Sequence, residues 1–338
     1  MPLRDRGRDL VVTASAGSGF SMVVRGLERV SRWRTDLLSV LTYHRVDEAA
    51  TSPHLYPGLI SAGPRAFEEQ VAVLASRHNP VSISQVLDAR REHRPLPPRS
   101  VLVTFDDAYR DFSEHAWPVL RRHRVPAVLF VPTAYPDHPT RRFWWDRLHA
   151  ALLGAPAGAT VSVGDRELPL ASAVERNEAF RALRADIKGR PHAEAMARVE
   201  QVVDALGDHD APSAVLGWDE LRRLRDDGVD LAPHSRTHAL LDQVSATELD
   251  TEVSGSLEDL EAQVGPVPRV FAYPSGAHDD QAVAAVARAG CSLAFTTVRG
   301  GNDLRRADPL RLRRVNVGGR ATTALVRAQL LPVLAVRR

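Results

Sequence analysis

Two short strings carry most of the chemistry this chain can do: Thr104-Phe105-Asp106-Asp107 and, far downstream, His234-Ser235-Arg236-Thr237-His238. The first closes an apolar run with two adjacent carboxylates. Like charges side by side repel unless a cation or hydrogen bonds compensate. The second offers two imidazoles four residues apart, which a turn of helix or a tight loop aims at one point. Asp107, His234 and His238 together make a two-histidine, one-carboxylate set, which leaves coordination positions open for water and substrate. Asp106 then stands beside the water as a general base. The chemistry is metal-assisted hydrolysis, with zinc as first choice and cobalt, nickel, manganese or iron as alternatives on the same ligands. Each string alone reads as structural, an acid capping a helix or a pair of surface histidines. Both of them behind strands of one chain reverse that reading.

Other chemistries lack their residues. No Gly-x-Ser-x-Gly elbow or phosphate-binding loop occurs, and Gly17-Ser18-Gly19 lacks the flanks of a dinucleotide fingerprint. Cys291 is the only cysteine, so no intrachain disulfide forms, and its apolar setting predicts a buried, inert thiol. A formal net charge of +2 over 338 residues gives no reason to expect nucleic acid as a partner. Lys188 is the only lysine; the other cations are arginines, read as coding bias and solvated surface. No stretch is long enough to cross a bilayer. Arg4, Arg6 and Arg8 before Leu10-Val11-Val12-Thr13-Ala14-Ser15-Ala16 faintly resemble a secretory signal, but the apolar part is short. The expectation is no cleaved signal and a cytoplasmic or loosely membrane-associated protein, with export as the alternative.

The elements that must position these residues are legible as a strand–helix rhythm. Leu38 to Tyr43, ending at His44, reads as a buried strand, and so do Val101 to Phe105 and the nearly all-apolar Pro126 to Val131. Val229 to Ala232, Arg269 to Tyr273, Leu293 to Thr297 and Leu312 to Val317 follow. Between them, Pro64 opens a helix with Phe67, Val71 and Leu74 on one face. Ser82-Ile83-Ser84-Gln85 and Ser245-Ala246-Thr247-Glu248 resemble capping boxes. A further helix is expected around Val23 to Trp33. Residues 136–213 break the rhythm and read as a helical insertion covering the site or merely packing on it, with Trp144 and Trp145 as sugar-stacking or core aromatics. The partition is an N-terminal extension over 1–35, a barrel over 36–320 and a C-terminal helix or tail over 321–338. Polar motifs follow strand after strand: His44, Asp106-Asp107, His234 to His238 and Tyr273-Pro274-Ser275-Gly276. That is where α/β barrels keep their catalytic groups.

These strings, with Phe271-Ala272-Tyr273-Pro274-Ser275-Gly276 and Tyr43-His44-Arg45-Val46, resemble the polysaccharide deacetylases, the NodB-homology domain of carbohydrate esterase family 4. The resemblance covers roughly residues 38–320 apart from the insertion. It implies a distorted (β/α) barrel of about seven parallel strands and removal of N-acetyl groups from sugars of a glycan or glycan precursor. It implies Asp106 as base, Asp107, His234 and His238 as metal ligands, the Ser275 N–H as oxyanion donor and His44 as a pocket residue. An O-acetyl esterase, another amide hydrolase or a non-catalytic carbohydrate-binding protein on the same scaffold are the alternatives. Two departures stand out. The family often has an arginine two residues before the motif proline to orient the base; here that residue is Ala272, so Arg269, Arg299 or another arginine must serve. Many members use a late histidine as general acid, and Phe295 to Val317 contains neither histidine nor tryptophan, leaving His44 or His278 as candidates.

Overall fold

Seven apolar segments form parallel strands: β1 (Leu37–Tyr43), β2 (Ser100–Phe105), β3 (Ala127–Val131), β4 (Asp230–Pro233), β5 (Val270–Ala272), β6 (Leu293–Arg299) and β7 (Leu312–Asn316). The computed structural model describes residues 15, 17–30, 36–156, 158–207 and 213–331. The Arg4–Arg8 cluster, residues 10–14 and Trp33 lie outside them. The spatial order β5-β6-β7-β1-β2-β3-β4 curls the sheet into a nearly closed barrel. Its seam falls between β4 and β5, where the His234 ring nitrogen Nδ1 donates to the Ala272 carbonyl at 2.7 Å. No helix among the described residues is long and apolar enough to cross a membrane.

Period-two alternation decides what fills the barrel. Leu38, Val40, Leu102, Val128, Phe130, Ala232, Val270, Ala272, Leu293, Phe295 and Leu312 form one buried apolar cluster with residues of the helix Ile83–Arg91 and its flanks. The alternate residues, such as Val101, Val103, Leu129 and Val131, pack outward against the helices. Above the inner apolar layer Thr42 and Thr104 face one another at 3.3 Å, and Thr104 also donates to the Leu41 carbonyl at 2.8 Å. Continuing the same parity past the strand ends reaches His44, Asp106 and His234.

The surrounding helices are α1 (Ser18–Val30), α2 (Pro64–Arg77), α3 (Ile83–Arg91), α4 (Trp117–His123), α5 (Trp144–Gly154), α6 (Ala173–Lys188), α7 (His192–Leu206), α8 (Trp218–Asp226), α9 (Ala246–Val264), α10 (Asp280–Arg288) and α11 (Thr323–Gln329). Ser82, Ser172 and Ser245 begin α3, α6 and α9 with reciprocal capping boxes. Helices α5, α6 and α7 lie between β3 and β4. They share that connection with an antiparallel pair, Thr160–Val163 against Arg166–Pro169, in an insertion expected to be helical.

Candidate active site

The backbone ladder continues one residue past each strand and so fixes where the polar groups emerge. Asp106 donates its N–H to the Tyr43 carbonyl at 3.0 Å, His234 to Val131 at 2.9 Å and Tyr273 to Phe295 at 3.0 Å. Parity would turn Asp107 out of the barrel. Instead Asp107 and Ala108 both adopt the left-handed region, with φ of 73° and 51°, a costly conformation for residues with a Cβ. The kink brings the second carboxylate into the same pocket as the first.

The histidine string is a loop, not a helical turn; Ser235 and His238 have φ of 60° and 59°. Helix α9 holds it. Glu252, buried, accepts the backbone N–H groups of Arg236 and Thr237 at 2.9 Å each and the Thr237 hydroxyl at 2.7 Å. Asp259 accepts from Arg236 Nε at 2.7 Å. Trp145 from α5 lies edge-on to the His238 ring, 4.8 Å between centroids, while its indole N–H donates to Tyr109 at 2.8 Å. It is a buried supporting aromatic; Trp144 beside it is half-buried.

The structure brings Asp107, His234 and His238 together. One ligand atom from each lies within 4.8 Å of the other two. Asp107 Oδ1 is 3.2 Å from His238 Nε2 and 3.5 Å from His234 Nε2. A tetrahedral zinc ion about 2.1 Å from each ligand atom needs them about 3.4 Å apart. Asp107 Oδ1 is buried with no hydrogen-bond partner, a costly state that a cation relieves. Because His234 Nδ1 carries the proton given to Ala272, its Nε2 keeps the lone pair a metal requires. Burial depresses both imidazoles, and Lys188 adds to the effect on His238, which falls to about 3; both rings are therefore neutral near pH 7, the ligating form. Burial raises the Asp107 carboxyl, against the pull of His44 and His234. This donor set fits a divalent cation.

Asp106 sits beside the cluster, its Oδ2 4.0 Å from His234 Nε2. Arg314 grips it with two parallel bonds: Nη1 to Oδ1 and Nη2 to Oδ2, both 2.8 Å. Arg314 is fully buried and spends its Nε on the Thr296 carbonyl at 2.8 Å. Burial alone would raise Asp106, but Arg314, His234 and His44 hold the carboxyl well below the usual range. The arginine that grips Asp106 is therefore neither Arg269, which pairs with Glu261 at 3.0 Å, nor Arg299, exposed at the end of β6. It comes from β7, and the sequence carried a signal for it: Arg314 shares inward parity with the core residue Leu312.

His44 is half-buried at the rim, its backbone N–H donating to Ser61 at 3.0 Å. Burial lowers its ring pKa, against the pull of Asp107 and Asp106. Ser275 lies in a turn with φ 54°, its hydroxyl 2.8 Å from Lys188 Nζ. Gly276 follows at φ +74°, and a Cβ there would meet Thr297 Oγ1 at 2.1 Å. His278 stacks on Tyr273 and has Nδ1 2.7 Å from the Gly276 carbonyl. Burial pushes the Cys291 thiol up to about 12, in keeping with an inert residue.

With this geometry in view, the comparisons with known proteins agree. The sequence model of the polysaccharide deacetylase family matches residues 93–294, more than half of the chain, and the chain belongs to that family. A stretch of 108 residues is 32% identical to the poly-β-1,6-N-acetyl-D-glucosamine N-deacetylase of Escherichia coli K12, covering 32% of this chain and 16% of that protein. The match thus spans a small part of the curated relative. Among solved structures, Streptococcus pyogenes deacetylase PplD in complex with acetate superposes with a TM-score of 0.59 at 18% identity, covering 87% of this chain and 98% of that one. IcaB from Ammonifex degensii gives 0.56 at 18% identity, over 88% and 97%. These likenesses establish the barrel.

Proposed function

We propose that this protein is a metal-dependent N-deacetylase acting on N-acetylhexosamine residues of a glycan or glycan precursor. The observation that carries the reading is Asp106, locked by Arg314 next to the converging Asp107, His234 and His238. The local identity to a poly-β-1,6-N-acetyl-D-glucosamine N-deacetylase supports the amide of an N-acetylated sugar as the bond cleaved.

In this reading Asp107, His234 and His238 hold the divalent cation, zinc by preference. When bound, such an ion lowers the pKa of water and polarises a carbonyl. Asp106 accepts the proton of the attacking water; its ionised state is secured by Arg314, and the bidentate grip fixes the direction of its lone pairs. The Ser275 backbone N–H donates to the carbonyl oxygen as that atom gains negative charge. His44 lines the mouth and contacts the sugar or the acetyl group.

The test is acetate release from β-1,6-linked N-acetylglucosamine oligomers by the purified protein, before and after chelation and with zinc restored. Release that chelation abolishes and zinc recovers is expected. His238→Ala is expected to lower metal content sharply. No acetate from any N-acetylated oligomer with metal replete sinks the sugar reading, and unchanged metal content in His238→Ala removes that residue from the ligand set.

A further inference from the structure

The proposed reaction needs a proton on the departing nitrogen, because an amine anion is a very poor leaving group. Asp106 starts ionised and paired with Arg314, so it brings no proton of its own and holds only the one it takes from the water. His278 commits its Nδ1 to Gly276 and stacks on Tyr273. Burial lowers the His44 ring, against the pull of Asp107 and Asp106, and so disfavours the protonated form that an acid needs.

Helix α6 of the insertion brings another group. Lys188, its last residue, reaches the mouth of the barrel and places Nζ 2.8 Å from the Ser275 hydroxyl, in the turn whose backbone N–H faces the carbonyl oxygen in our reading. It makes no ion pair among the described residues and is half-buried. It is the only lysine in a chain otherwise supplied with arginine. The distinction is chemical. A guanidinium stays protonated throughout, whereas an ammonium can give up its proton in a desolvated site. Burial, followed by the neighbouring Arg184, lowers Lys188 to about 8, with Asp107 pulling the other way. Arg184 from its own helix, and Asp107 and His238 from the barrel, are the charged or titratable groups coupled to it.

Building on the deacetylase reading, we propose that Lys188 is the catalytic acid that protonates the leaving amine, taking the place of the missing late histidine. The water oxygen forms its bond to the acetyl carbon as Asp106 takes a proton. The carbon–nitrogen bond then breaks, its electron pair goes to nitrogen, and Lys188 Nζ–H passes its proton to that nitrogen. The products are the free amino sugar and acetic acid, which ionises. Lys188 regains a proton from solvent and Asp106 releases one.

The test compares two substrates. The N-acetylglucosamine oligomer needs a protonated leaving group; 4-nitrophenyl acetate, whose phenolate leaves unaided, does not. In Lys188→Met, kcat on the oligomer is expected to fall about 10²- to 10⁴-fold, with KM changing only several-fold. The loss on the aryl ester is expected to be at least about 30-fold smaller. Lys188→Arg, which keeps the charge but not the transferable proton, is expected to track Lys188→Met. Near wild-type oligomer turnover in Lys188→Met, recovery in Lys188→Arg, or equal losses on both substrates each overturns the assignment. A wild-type protein inactive on oligomers overturns the deacetylase reading and this inference together, whereas oligomer turnover that survives Lys188→Met overturns the inference alone.

Discussion

Arg314 and Asp106 form a pair in which neither member is expendable. Both are buried, and removal of one partner leaves an uncompensated charge in the barrel. Arg314→Met is expected to lower stability by about 3 kcal/mol and, in the proposed reaction, kcat by about 100-fold, because Asp106 loses its orientation as well as its counter-charge. Arg314→Lys retains the charge but not the two-pronged grip and should fall between. Urea unfolding and acetate release measure the two effects; a Met variant equal to wild type in both leaves Arg314 without a role. Asp106→Asn keeps the shape of the side chain while deleting the proton acceptor. It should bind metal as the wild type does and lose turnover, read as metal content beside acetate release. Wild-type turnover in that variant would remove Asp106 as the base.

Strand parity explains why inward groups gather above one apolar layer, and strand ends explain where they emerge. Asp230, at the start of β4, belongs to the same account. Burial raises its carboxyl from the ordinary 3.8 to about 6. Below both values it is neutral folded or unfolded and costs nothing. As pH rises through 4 the unfolded chain ionises first, so stability falls until the folded form ionises near 6. Asp230→Asn removes this loss. Thermal unfolding should show the variant ahead of wild type by about 1 kcal/mol at pH 8, allowing for partial solvent exposure, with the gap closing by pH 4. A gap of the same size at both pH values contradicts the burial argument.

Over the whole molecule, the first and last described helices meet through a buried ion pair. Arg327 of α11 holds Glu28 of α1 with bonds of 2.9 and 2.6 Å, and Arg77 of α2 lies 3.8 Å from the same carboxylate. Ser15 and Thr322 add a hydroxyl contact at 2.8 Å. Arg327→Met should cost about 3 kcal/mol, and Glu28→Leu with Arg327→Met should recover part of it, since the buried carboxylate then no longer loses its bidentate partner. Denaturant unfolding of the single and double variants decides; additive losses would mean the pair is not what joins these segments.

Much of this protein follows from local pattern. The apolar strands, the Ser82 and Ser245 caps, and the order of polar strings behind strands depend on spacing within a few residues, so they are visible in one dimension. The adjacency of Asp107, His234 and His238 could be anticipated because barrel strands deliver their carboxyl ends to one face. What supports those residues is non-local. Arg314 reaches Asp106 from 208 positions away, and Glu252 and Trp145 brace the histidine loop from another helix and from the insertion. The left-handed kink at Asp107, which overrides strand parity, leaves no mark in residue type. Residue type and spacing pick out the two acids, the two histidines and the end of the barrel that holds them, but not Arg314 or Lys188. Which arginine grips Asp106, and where the lone lysine comes to rest, emerge once the chain is folded. Such pairings depend on barrel closure and on how a separate helical segment packs across it, and neither spacing nor periodicity encodes them.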